Sequence, residues 1–69
     1  MDIEYLKYLA KSKKLKLYEL GEEIGLTKHY FYRKLKNERW SLEEIKLLKD
    51  VLDMTENDFK KVFGLEFNA

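Results

Sequence analysis

The 69-residue sequence predicts an all-α, compact five-helix domain, and three observations carry that prediction. Apolar residues recur at three- and four-residue spacing in five successive segments, the period of helices that bury one stripe. Hydroxyl residues stand where several of these segments begin and glycines where two of them end, as helix capping favours. Proline is absent, glycine occurs only at 21, 25 and 64, and no segment of real length before the tail alternates apolar with polar residues. With no linker, repeat or low-complexity stretch, the chain divides only into a domain at 1–64 and an apolar C-terminal tail at 65–69. A chain of this length has room for one domain.

The first helix is expected at 2–11, with Ile3, Leu6, Leu9 and Ala10 turned inward. A basic connector, 12–16, leads to a second at 17–24, where Leu17, Leu20 and Ile24 share a stripe. Gly25 follows at once, and a left-handed glycine ends a helix without steric cost. Thr27 offers a hydroxyl cap to a third helix reaching residue 36, with Phe31 and Leu35 inward. Gly21 sits inside the second helix, where glycine costs roughly 1 kcal/mol relative to alanine. That cost makes sense if another helix crosses closely there; alanine is expected to be nearly neutral and bulkier side chains disruptive. Ser41 and Glu44 form an S-x-x-E capping box for a fourth helix, 42–52, with Leu42, Ile45, Leu48 and Leu52 as its stripe. Trp40, just before that cap, is placed to act as a hydrophobic staple. Thr55 caps a fifth helix with Phe59, Val62 and Phe63 inward, and Gly64 ends it. Beyond it, Leu65 and Phe67 alternate with polar neighbours, the one place that suits a short strand.

Residues 17–36, LYELGEEIGLTKHYFYRKLK, therefore read as helix, glycine turn, helix, with a small residue at the crossing. This arrangement resembles the DNA-binding helix-turn-helix of phage repressors and Cro-like proteins. The resemblance covers nearly the whole chain. GLTKHYFYRKL, the charged loop 36–40 ending in an aromatic, and SLEEIKLLKDVLDMTENDFKKVF are similar to small lysogeny-switch regulators of Gram-positive phages. That group carries a Lys-Leu pair near the end of the second motif helix, here Lys34 and Leu35, whereas common bacterial members place the apolar residue one position earlier. The resemblance implies a lambda repressor-like DNA-binding fold and a sequence-specific regulator of transcription. Such a regulator would act as a homodimer on two half-sites of a double-stranded operator, blocking polymerase.

Composition narrows the alternatives. Cysteine is absent, so neither disulfides nor thiolate metal sites support the thin core of so small a domain. That absence fits a reducing cytoplasm. Asp2 and Glu4 stand where a signal peptide carries positive charge, and no uncharged run approaches a membrane span, so a cytoplasmic protein without membrane association is expected. His29 is the only histidine and lies beside Lys28, which argues against a metal site. Glu22 with Glu23 and Glu43 with Glu44 are adjacent on helices and diverge. No catalytic triad or phosphate-cradling glycine loop is present. Neither an enzyme nor a cofactor is expected.

Net charge is only +1, but its distribution is uneven. Residues 1–40 carry ten Lys/Arg against six Asp/Glu, and residues 41–69 four against seven. A basic half bearing the motif and an acidic half behind it make an electrostatic footprint suited to DNA, although chance clustering in a lysine-rich chain produces the same count. With Phe31 and Leu35 inward, Lys28, His29, Tyr32 and Arg33 remain on the outer side of the third helix, the positions that reach base edges in the resembled family. Arg33 can bond guanine O6 and N7 bidentately, Lys28 the same acceptors as a point charge, and the Tyr32 ring a thymine methyl. The same four side chains also fit an ordinary solvated face, and Tyr32 is bulky enough to pack sideways or meet a protein. Lys13, Lys14 and Lys16 before the second helix, and Lys36, Asn37 and Arg39 after the third, are candidate phosphate contacts. Leu65 and Phe67 are candidate interaction residues, too apolar to expect free in water. A second function class stays open: a helix-turn-helix module that binds and modulates a phage repressor protein rather than DNA.

Overall fold

Each helix begins where a side chain takes up an orphan backbone amide. The computed structural model describes residues 1–64 and contains α1 (Ile3–Ser12), α2 (Leu17–Glu23), α3 (Lys28–Asn37), α4 (Leu42–Val51) and α5 (Glu56–Phe63). At α1, Asp2 Oδ1 accepts from the Tyr5 amide at 3.0 Å. Thr27 Oγ1 accepts from the Tyr30 amide at 3.2 Å. At α4 the capping box closes both ways: Ser41 Oγ accepts from the Glu44 amide at 3.1 Å, and Glu44 Oε1 from the Ser41 amide at 2.8 Å. Thr55 and Asp58 repeat this pattern at α5, at 3.0 and 3.1 Å.

The helix ends use the left-handed conformation, and glycine supplies it only twice. At Gly25 (φ +82°) the Leu26 amide reaches back to the Gly21 carbonyl at 2.9 Å and the Gly25 amide to Glu22 at 3.0 Å. These two bonds form a Schellman motif. The same pair closes α1 at Lys14 (φ 60°) and α4 at Asp53 (φ 47°), while Glu38 (φ 57°) and Gly64 (φ 71°) end α3 and α5 with a single bond. Lys14, Glu38 and Asp53 hold this conformation despite a Cβ.

The core draws one fully buried side chain from each helix: Leu6, Leu20, Phe31, Leu48 and Val62. Leu9, Ala10, Ile24, Leu35, Leu52, Phe59 and, from the α4–α5 turn, Met54 close around them. α1 and α5 are latched together. The Asp2 amide donates to the Val62 carbonyl at 2.9 Å, and the Tyr5 hydroxyl donates to Asp58 Oδ1 at 2.6 Å. That contact holds the Asp58 carboxyl below the usual carboxylate range and pushes the Tyr5 hydroxyl up.

Of the expected inward residues, Ile3, Leu17, Ile45 and Phe63 are half-buried against this core, and one position, Leu42, differs. Leu42 is 63% exposed. As the first residue of α4 it stands about 60° around the helix from Ile45 and farther still from Leu48, so the buried arc passes through Ile45, Leu48 and Leu52 and misses it. Phe63 is half-buried and rests on Phe59 with ring centroids 4.9 Å apart. The expected helix limits otherwise agree to within a residue or so, the difference usual at frayed ends. The candidate interaction residues Leu65 and Phe67, and the strand suggested there, lie outside the described residues.

Candidate nucleic-acid interface

α2 and α3 meet at Gly21. A Cβ built on that residue would stand 2.6 Å from Phe31 Cγ and 2.7 Å from Phe31 Cβ, so the glycine is what lets the helices approach this closely. The expectation that alanine would be nearly neutral is therefore corrected: the obstructing atoms include Phe31 Cβ, which cannot swing away. The approach presses one side of α3 onto α2 and fixes which side faces outward.

Successive residues of a helix are turned by about 100°. With Phe31 and Leu35 buried, Lys28, Tyr32, Lys36, His29 and Arg33 fall on one continuous outer arc, and all five are exposed. Thus α3 carries the four predicted base-reading residues on one surface, with the predicted phosphate residue Lys36 among them. α3 also differs from the other helices at its N-terminus. Each of the others has Asp or Glu in its first turn, whereas α3 has none and begins with Lys28 and His29. Its partial positive charge is thus left unanswered within the helix, the condition that suits an incoming anion. Lys28 Nζ lies 4.9 Å from the ring centroid of Tyr18, two residues into α2, which brings the starts of α2 and α3 together.

Tyr32 sits at the edge of the arc. It is 40% exposed and lines an open cleft of about 460 Å³ with Ile3, Lys7, Leu17, Leu35 and Lys36. Its ring is thus placed toward α1 and α2, the sideways packing its bulk allows.

The predicted phosphate residues do not behave alike. Lys14, Lys16, Lys36 and Arg39 are exposed, and no side-chain ion pair engages them among the described residues. Lys13 instead pairs with Asp53 at the end of α4, Nζ to Oδ2 2.6 Å. The first amides of α2 are also partly spoken for, since Glu19 Oε1 accepts from the Lys16 amide at 2.8 Å. Asn37 Oδ1 accepts from the Arg39 amide at 2.9 Å, folding the α3–α4 loop while Arg39 stays exposed.

Sequence reasoning missed the polar anchor of this surface. Lys34, counted among the basic residues of α3, reaches inward: its Nζ donates to Glu44 Oε1 at 2.7 Å and to the Arg39 carbonyl at 3.0 Å. It also lies 5.2 Å from the Tyr30 ring centroid and 6.0 Å from that of Trp40. One ammonium thus ties α3 to the following loop and to the cap of α4. Glu44 feels opposing influences. Burial, the largest, pushes its carboxyl up, but hydrogen bonds from Lys34 and Ser41 together with the Lys34 charge outweigh it, and the net direction is down. Trp40 packs edge-on against Phe31, centroids 5.9 Å apart, so the residue before the α4 cap braces α3 as well. Its Nε1–H finds no acceptor among the described residues. The signal for Lys34–Glu44 was present as a lysine one position from the buried Leu35 and a carboxylate already committed to a cap, but pairing them needs the angle between two helices.

Among the described residues no three His, Cys, Asp or Glu side chains gather as a metal site, and no helix is long and apolar enough to cross a membrane. A family model described as the Cro/C1-type HTH DNA-binding domain matches residues 5–62, a span from α1 into α5 that contains the α2–turn–α3 unit. Comparisons with curated proteins and with solved structures give no match.

Proposed function

The chain belongs to the Cro/C1-type helix-turn-helix DNA-binding family, and on that premise we propose that it is a sequence-specific regulator of the phage repressor or Cro kind. The observation that carries the reading is the outer arc of α3, where Lys28, His29, Tyr32, Arg33 and Lys36 stand exposed on a helix whose other side is locked against α2. α3 enters the major groove of double-stranded operator DNA. Arg33 bonds a guanine bidentately, Lys28 and His29 take neighbouring base-edge acceptors, and Tyr32 reaches a thymine methyl from the edge of the arc. Lys14, Lys16, Lys36, Asn37 and Arg39 hold phosphates on the two sides of the groove, and Lys13 contributes less because Asp53 already engages it. A homodimer in the cytoplasm occupies two half-sites about one helical turn apart and blocks polymerase. The mechanism is occlusion and uses no catalysis.

Selection of genomic fragments by the purified protein identifies the operator. On that operator Arg33→Ala is expected to cost roughly 1–3 kcal/mol and to relax preference at one base pair. Unchanged affinity and preference in a folded Arg33→Ala variant would remove α3 from the groove.

One observation favours a second reading. Tyr32 borders an apolar cleft rather than standing at the centre of the reading arc, as it would if the domain met another protein, such as a phage repressor, through this face. DNA binding by the basic surface requires a steep fall of affinity with salt. A protein-binding module would show little binding to any duplex at low salt.

A further inference from the structure

The loop between α3 and α4 carries an exposed arginine, Arg39, and residues of α3 fasten that loop at successive positions. The Glu38 amide donates to the Lys34 carbonyl at 2.8 Å, the bond that closes α3. The Arg39 amide donates to Asn37 Oδ1 at 2.9 Å, and the Arg39 carbonyl accepts from Lys34 Nζ at 3.0 Å. Both polar backbone groups of Arg39 are therefore taken by side chains of α3. Behind them, Glu44 Oε1 accepts from the same ammonium at 2.7 Å and is itself fixed by the Ser41 amide at 2.8 Å. Stability alone does not call for this arrangement. Desolvating an ammonium and a carboxylate offsets much of their attraction, and apolar side chains of similar volume often serve a core as well. What an apolar side chain cannot do is hold a backbone carbonyl.

We infer that Lys34 is a positioning residue for Arg39: it does not touch DNA but fixes the loop backbone from which Arg39 meets a phosphate. The inference rests on the proposed reading of α3 and its flanks as the DNA surface. Its basis is entropic. A loop that is free before binding loses its freedom at the moment of contact, which costs affinity, whereas a loop already tied to α3 has lost it on folding. The Arg39 side chain stays exposed and keeps its own rotamer freedom, so the gain is confined to the backbone. Direct contact between Lys34 and a phosphate is disfavoured, since its side chain is only 12% exposed and its ammonium already donates to two acceptors.

Salt-dependent binding of the full chain and its variants to the selected operator tests this. Lys34→Met combined with Glu44→Gln removes the ammonium without stranding a carboxylate, and glutamine keeps an oxygen for the Ser41 amide. In this variant, shown to be folded by circular dichroism, operator affinity is expected to fall about two- to tenfold. The slope of log affinity against log salt should stay the same, because every proposed phosphate-binding cation is still present. In an Arg39→Ala background the same two substitutions should cost no further affinity, since no arginine is left to place. Equal losses in the two backgrounds would mean a general effect on the fold, and a slope flatter by about one would make Lys34 itself a phosphate contact. Either result overturns the inference, as does the absence of any loss. Should the combined variant not fold, Glu44→Gln alone, which takes away the charge that holds the ammonium, carries the same comparison. A native chain that binds no duplex would refute the DNA reading and the positioning role with it. Failure of the Arg39 coupling in a native chain that does bind would refute the positioning role alone.

Discussion

Gly21 has no room for a side chain. An added methyl would meet Phe31 Cγ and Cβ at 2.6 and 2.7 Å. Helix propensity favours alanine there by about 1 kcal/mol, whereas overpacking a tight contact costs about 1–3 kcal/mol. The steric cost wins because the obstruction includes a Cβ atom fixed by the α3 backbone. Gly21→Ala is therefore expected to lower the melting temperature by several degrees, at about 4–8 °C per kcal/mol for a domain of this size. An unchanged or raised melting temperature would show that α3 slides away freely. Lys14 presents the converse case. It holds φ at 60° to close α1 although it carries a side chain, at a cost of order 1 kcal/mol. Lys14→Gly should accordingly raise stability by about 0.5–1 kcal/mol in chemical denaturation. In the same variant, loss of the ammonium should weaken binding to every DNA sequence alike. Stability and affinity moving in opposite directions would separate the residue's backbone task from its proposed phosphate contact.

At the scale of elements, α3 and α4 are tied by Lys34 and Glu44, whose side chains are only 12% and 16% exposed. This places the pair between exposed ion pairs, worth about 0–1 kcal/mol, and fully buried ones, whose breaking costs about 3–5 kcal/mol. Lys34→Ala is expected to cost about 1–3 kcal/mol, since it strands a half-buried carboxylate. Burial pushes the Glu44 carboxyl up, yet its bonds with Lys34 and Ser41 bring the net direction below the ordinary glutamate value. Its contribution is thus fully present above the unfolded-state pKa and is lost as pH falls through the lower folded-state value. Acid titration of stability should show this loss in the native chain, and Glu44→Gln should flatten the part of the curve below about pH 4.5. What could be read in advance follows the same division between local and distant. Thr27, Ser41 with Glu44, Thr55, Gly25 and Gly64 announce helix limits because capping involves residues within three or four positions. Lys14, Glu38 and Asp53 do the work of C-terminal glycines without being glycine, so no residue type announces them. The Lys34–Glu44 and Lys13–Asp53 pairs depend on how helices are stacked, which periodicity does not encode. The spacing of Leu42 from Ile45 fits the stripe, but a first-turn residue at the margin of the arc escapes burial. The outer arc of α3 was legible for a simple reason: Phe31 and Leu35 fix the inner side, and the exposed side follows by elimination.

At the scale of the whole molecule, a net charge of +1 conceals a basic half and an acidic half. Were charge spread evenly, so small a surplus would give weak attraction to DNA and little orientation. Segregated along the chain, it would favour approach of the duplex to the basic half and disfavour approach to the acidic half. The basic surplus comes mainly from residues 1–16 and α3, because the three glutamates of α2 offset part of it. The salt dependence of binding reports how many of the cations release counterions. Lys14, Lys16, Lys36 and Arg39 are the proposed phosphate-binding cations without a side-chain ion-pair partner among the described residues. At about 0.9 per phosphate neutralised, they give a slope of log affinity against log salt near −4 for each bound domain. Lys36→Ala should flatten that slope by about one per domain. Lys13→Ala should leave it nearly unchanged, because the ammonium already pairs with Asp53 and a contact with DNA would require giving up that bond. Equal flattening by the two substitutions would mean that the Lys13–Asp53 pair opens on DNA and that the basic surface extends farther around the molecule than α3 and its flanks. A native slope near zero would remove the basic half from duplex binding altogether and leave the cleft beside Tyr32 as the surface through which the domain acts.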